Sequence, residues 1–273
     1  MSSYSDLLLR AITALIGAVI LLTSILYHEL SFFVVFLLIM LLCLREFVRM
    51  SQLPGSQSTL LFLFGLGIFT LLYLIAAGYA EAKWLLVGIP LSLITLINQL
   101  FRTNDKPIRH LAVFFLGLGY IVFPLSTLEF IVFNGQLFEP MYVVGLFILI
   151  WCQDTGAYFV GSAFGRHKLF ERVSPKKSWE GAVGGLVMAL VGAYVMNLLF
   201  PDLMTLGQWL LCGVVITVTG IFGDLVESFL KRTALTKDSG NLIPGHGGFM
   251  DRFDSLLFCA SFYLLLLMIF GLR

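Results

Sequence analysis

Apolar runs of about 17 to 25 residues recur along this chain, broken by short clusters of charge, glycine and proline, and each can cross a hydrocarbon core of about 30 Å as a helix. They predict nine helices, at approximately 9–27, 31–44, 58–78, 84–101, 110–127, 141–160, 181–200, 206–230 and 253–271. The second run is short and extends as an amphipathic stub through Arg45–Met50. Breakers fall between the runs: Pro54-Gly55, Asn134-Gly135, Pro140, Pro201 and Pro244-Gly245. The pattern predicts an all-α polytopic membrane protein. Its first five spans occupy 1–140, and 141–273 forms a C-terminal transmembrane region with loops at 161–180 and 231–252.

Composition excludes the soluble alternative. Of the 273 residues, 59% are apolar and only 12% charged, about half the charge share of a soluble domain. The net charge of +1 gives no sign of a nucleic-acid partner. Cys43, Cys152, Cys212 and Cys259 lie scattered in apolar stretches without metal-ligand spacing and read as small buried hydrophobes. The first run lacks a small-residue cleavage site, so it is expected to remain as a span.

The distribution of charge says more than its sum. Fifteen of the 17 basic residues fall at the N-terminus or in even-numbered connections, and only Lys83 and Arg273 fall on the other side. The positive-inside rule then places the N-terminus in the cytoplasm, the C-terminus outside, and an odd number of spans between them.

Three carboxylates sit inside the predicted spans: Asp154 in the sixth, Asp224 and Glu227 in the eighth. An intramembrane acid is costly, and by default marks a functional site. Asp154 and Asp224 should share a depth near the cytoplasmic surface. Asp224 and Glu227 lie three residues apart on one helix face, and Asp251 and Asp254 repeat that spacing at the entry to the ninth span. Between the pairs runs a loop that is first basic, then glycine-rich. Paired carboxylates beside clustered Lys and Arg suit a hard divalent cation bridging phosphates. Gly245, Gly247 and Gly248 around His246 leave room for backbone N–H groups to approach an anion. A second basic patch, Lys176-Lys177, precedes Ser178, a candidate N-cap for the seventh span; a helix N-terminus with two lysines is an anion site.

The stretch 228–254 contains Ser228, Lys231 and Arg232, then Lys237-Asp238-Ser239, then Ile243-Pro244-Gly245-His246-Gly247-Gly248-Phe249-Met250-Asp251-Arg252-Phe253-Asp254. It resembles the signature of phosphatidate cytidylyltransferases, the CDP-diacylglycerol synthases. Trp151 with Asp154-Thr155-Gly156-Ala157-Tyr158, and the segment Ser174 to Gly181 that includes Glu180, are similar to the same family. The first 140 residues carry only generic membrane character.

The resemblance implies transfer of the cytidylyl group of CTP to phosphatidic acid, giving CDP-diacylglycerol and pyrophosphate, with Mg²⁺ alone or with a second cation. It implies Asp224 and Asp251 as metal ligands, with Glu227 and Asp254 as adjacent carboxylates. Lys231, Arg232, Lys237 and Arg252 would hold phosphates of CTP, pyrophosphate or lipid. Lys176 and Lys177 would hold a nucleotide or lipid phosphate, and Glu180 belongs to the same implied catalytic set. His246 is implied either to hydrogen-bond a phosphate or to protonate the leaving group; Asp154 either supports the metal or orients a lysine. A homodimer in the lipid bilayer of a bacterial inner membrane, with its site facing the cytoplasm, completes the expectation.

The competing reading is an ion-coupled transporter using intramembrane carboxylates. It predicts polar residues near the midplane and a repeat, whereas here charge gathers near one surface and no repeat is visible. A transferase that consumes CDP-linked lipids would carry a D-x-x-D-G-x-x-A-R pattern, which is absent.

Overall fold

The computed structural model describes residues 2–101, 106–236, 239–240 and 247–273. Each of the nine apolar runs coincides with helix. The order is α1 (Ser2–Tyr27), α2 (Glu29–Ser51), α3 (Gly55–Ala76), α4 (Gly88–Leu100), α5 (Pro107–Gly117), α6 (Phe123–Val132), α7 (Met141–Phe164), α8 (Trp179–Leu199), α9 (Leu206–Thr233) and α10 (Asp254–Ile269). Among the described residues seven helical segments are long and apolar enough to cross a membrane, and Ile12–Tyr27 and Asp254–Ile269 are shorter apolar helices. The protein is an all-α polytopic membrane protein.

Local chemistry sets several boundaries. His28 and Ser31 form a reciprocal cap at the start of α2, and Thr205 and Gln208 do so for α9. The expected second span is longer than its apolar run: the stub is continuous helix through Ser51. The fifth span is α5 and α6 joined by a π-helical stretch, Leu118–Val122. Pro124, two residues after it, lacks the N–H that an α-helical ladder would use, so one register of bonds yields to a wider one. This segment runs to Val132, beyond the expected end, and so takes Glu129 into the bundle. Glu129 is fully buried, with both carboxyl oxygens unpartnered among the described residues.

Two short hairpins join the helices. Phe133 and Asn134 pair with Phe138 and Leu137 around a two-residue turn in which Gly135 takes a φ of +60°, a conformation that favours glycine at the first central position. A second hairpin pairs β3 (Lys168–Phe170) with β4 (Ser174–Ser178) between α7 and α8. Periodicity did not foretell it, because its strands are three and five residues long and largely polar. The four cysteines are free, three of them buried, in keeping with their reading as small hydrophobes.

Candidate active site

Glycines decide how closely the last four helices meet. A Cβ at Gly156 of α7 would lie 2.5 Å from the Gly184 carbonyl oxygen of α8, and one at Gly185 would lie 2.9 Å from the Gln153 carbonyl. A Cβ at Gly223 of α9 would come within 2.7 Å of the Asp254 carbonyl at the head of α10. Helix association in a bilayer rests on such close packing of small residues. Gly156 and Gly223 each lie within two residues of an acid, Asp154 and Asp224, so the same contacts carry those carboxylates inward. Ser178 caps α8 as expected, accepting a 3.1 Å hydrogen bond from the Gly181 N–H.

Four segments consequently share one cavity of about 660 Å³. Asp154 enters from α7, Lys168, Lys176 and Lys177 from the hairpin, Asp224 from α9, and Asp251 and Asp254 from the entry to α10. Asp154 and Asp224, expected at one depth, face the same space. Lys177 is ion-paired with Asp224, which also accepts a 3.1 Å bond from the Ser255 hydroxyl. The Asp254 carboxyl accepts from the Ser255 N–H at 2.7 Å.

Asp251 is the most heavily bonded of these acids. Lys231 donates to it at 2.6 Å and to the buried Glu227 at 2.6 Å, bridging the two. Its second oxygen accepts from the N–H groups of Gly248 at 3.0 Å and Ser239 at 3.4 Å. Burial alone would raise its pKa, but hydrogen bonds shared with Glu227 and Lys231 hold it down at about 2. A Cβ at Gly248 would collide with the Ser239 hydroxyl and come within 2.8 Å of the Gly240 backbone nitrogen, so any larger residue forces this segment to shift. Gly247 takes a φ of +82°. In this arrangement the Gly248 N–H faces Asp251.

Other expected residues lie elsewhere. Glu180 is outside the cavity lining, and accepts hydrogen bonds from the backbone of Arg166 at 3.1 Å and His167 at 3.2 Å; the His167 ring meets it at 2.6 Å. It thereby fixes the turn into the hairpin. Arg232 is exposed in the last turn of α9. Arg252 lines a second, apolar cavity of about 630 Å³ between α1, α2 and α7, together with Phe249 and Phe253. Lys237 and His246 fall outside the described residues.

Sequence reasoning missed Lys168, which the hairpin delivers, and Glu46. Glu46 is 2% exposed near the end of α2, and three donors converge on it. Its Oε1 accepts from the Phe249 N–H at 2.8 Å, and its Oε2 from the Met250 N–H at 2.8 Å and the Ser239 hydroxyl at 2.7 Å. An acid on the apolar side of the stub, beside Cys43 and Phe47 in Cys43-Leu44-Arg45-Glu46-Phe47, was the available signal.

The donor set bears on metal binding. Asp224 and Asp254 line one cavity and both bond to Ser255, and neighbouring carboxyl groups need a proton or a cation between them. Oxygen-only donors suit a hard ion such as Mg²⁺. Among the described residues, no three His, Cys, Asp or Glu side chains already converge as a ready-made cage; Lys177 and Lys231 supply the positive charge instead.

This gathering of acids and lysines is matched by similarity along nearly the whole chain. Residues 8–270 match the model of the cytidylyltransferase family. The chain belongs to that family. A protein of Bacillus subtilis (strain 168) named phosphatidate cytidylyltransferase is 33% identical over 273 residues, covering 97% of this chain and 99% of its own. Proteins of the same name from Staphylococcus haemolyticus (strain JCSC1435) and Staphylococcus aureus (strain COL) are 32% and 33% identical, each over 91% of this chain and 94% of theirs. The family resemblance carried by 228–254 therefore extends through the generic first half, and the protein is an enzyme rather than an ion-coupled transporter.

Proposed function

We propose that the protein transfers the cytidylyl group of CTP to phosphatidic acid, releasing pyrophosphate and forming CDP-diacylglycerol for phospholipid synthesis at the cytoplasmic face of a bacterial inner membrane. One observation carries this reading: Asp154, Asp224, Asp251 and Asp254 face Lys168, Lys176 and Lys177 across one cavity. The names of the relatives agree with it, and three of the basic residues expected on the cytoplasmic side, Lys168, Lys176 and Lys177, line this cavity.

A phosphate oxygen of phosphatidic acid attacks the α-phosphorus of CTP. As that P–O bond forms, the bond to the oxygen bridging the α- and β-phosphates breaks, and pyrophosphate departs with the electron pair. The attacking monoester is already anionic near neutral pH, so no strong base is needed. Catalysis rests on positioning and charge neutralisation. Lys168, Lys176 and Lys177 balance charge on the nucleotide phosphates and on departing pyrophosphate, while Lys231 holds Asp251 in place. Mg²⁺, held by Asp224 and Asp251 with Asp154 and Asp254 beside them, would neutralise phosphate oxygens. The apolar cavity beside Arg252 offers a fitting surface for acyl chains, with the guanidinium near the lipid phosphate.

The test supplies purified protein with labelled CTP, phosphatidic acid and Mg²⁺ and counts label in the organic phase. Label should appear there in step with released pyrophosphate. No transfer under any metal condition overturns the reading.

A further inference from the structure

We infer that Glu46, on α2 and remote in sequence from every motif, is a positioning residue for Asp251. The inference rests on the proposed cytidylyl transfer, because it concerns how that cavity is held. Glu46 touches no cavity-lining acid itself. It collects the backbone N–H groups of Phe249 and Met250, which immediately precede Asp251, and the hydroxyl of Ser239. Ser239 in turn gives its own N–H to Asp251. One buried carboxylate thus fixes the chain on both sides of Asp251: the segment leading into it and the segment packed over it.

The bonding pattern requires a carboxylate and not merely a polar side chain. Three donors point at two oxygens, and the two backbone donors address different oxygens. A glutamine has one accepting oxygen and one donating nitrogen. Flipped either way, its NH₂ faces a backbone N–H, and that donor loses its acceptor. The hydroxyl of Ser239 can rotate to suit either orientation; the amides of Phe249 and Met250 cannot. The fit is also close, since a Cβ on Gly240 would strike Glu46. The segment 249–250 must then shift, and Asp251 shifts with it. Displacements of about 1 Å at a reacting centre cost roughly a hundredfold in rate.

The test compares Glu46→Gln, Glu46→Asp and Ser239→Ala with the unaltered enzyme, measuring thermal midpoint, kcat per folded molecule, and KM for CTP and for phosphatidic acid. Glu46→Gln should lower kcat by about 10- to 100-fold, leave KM for phosphatidic acid within about twofold, and keep most of the folded protein. Ser239→Ala, which retains both backbone bonds to Glu46, should lower kcat less than Glu46→Gln. Should Glu46→Gln fail to accumulate, Glu46→Asp keeps the charge but withdraws it by one methylene, and the same loss in kcat is expected. A purely structural Glu46 would reduce the folded fraction while leaving kcat per folded molecule within twofold, and that result overturns the inference. If the unaltered enzyme transfers no label, the failure belongs to the proposed reaction instead.

Discussion

The two halves of this bundle are held together differently. In the first, rings fill the gaps between helices. Phe33 lies 4.5 Å from Tyr73 and 5.8 Å from Phe69, Phe32 lies 4.5 Å from Phe36, and Tyr73 meets Phe133 edge-on. Where a glycine occurs there, as at Gly65, its nearest neighbours are side-chain atoms of Leu44 and Val122. In the second half, Gly156, Gly185 and Gly223 abut backbone carbonyls of the next helix. Side chains in contact can rotate to absorb a change; backbones in contact cannot. The acids and lysines sit in the half where helix spacing has least freedom, as a site needing sub-ångström placement requires.

The sharpest way to break this contrast is at the acids. Asp224→Asn or Asp251→Asn should cut turnover by at least about 10²- to 10³-fold while the protein still inserts and purifies as before. Near-normal label transfer by either variant would remove the special status of the second half.

A smaller effect separates the two packing modes directly. Gly156→Ala forces a methyl against the Gly184 carbonyl, with an expected cost of about 1–3 kcal/mol and a roughly tenfold loss of turnover as the cavity walls part. Phe69→Ala, deep in the ring cluster, should lower stability by about 3–5 kcal/mol yet leave turnover per folded molecule nearly unchanged. Thermal midpoints and activities of the two variants, read together, decide it. Equal losses of turnover would mean that both halves set the site.

The smallest effect is one of pH. Asp251 is held at about 2 in the folded protein, against about 3.9 for an unstructured aspartate. A depressed carboxyl contributes stability that is complete above the unfolded value and lost as pH falls through the folded one. The difference in thermal midpoint between the unaltered protein and Asp251→Asn should therefore be constant above about pH 5 and shrink toward pH 2. A gap that persists unchanged to pH 2 would show that Asp251 stabilises by shape alone.

Much of this was legible in the residues because a bilayer makes sequence literal. A charge inside a 20-residue apolar run has few explanations, so Asp154 and Asp224 stood out, and the cap at Ser178 followed from its place before a span. What stayed hidden depends on chain reversal and distance. Lys168 joins the site only because a short polar hairpin folds back, and Glu46 meets Ser239 across 193 positions. Glu129 escaped because α6 continues past Pro124 to Val132, further than the apolar run suggested. The position of Glu180 was readable but its partners were not: the backbone amides it binds belong to a turn that periodicity cannot register.

The hairpin has a consequence in entropy. Each lysine side chain brought to order costs up to about 2 kcal/mol, and each backbone residue about 1–2 kcal/mol. Lys168, Lys176 and Lys177 ride on paired strands whose entry is pinned by Glu180 to two amides and an imidazole. Their backbone is thus ordered when the protein folds, before any polyanion arrives. A flexible basic loop of the same composition would meet that cost at every binding event; here it is met once, in folding.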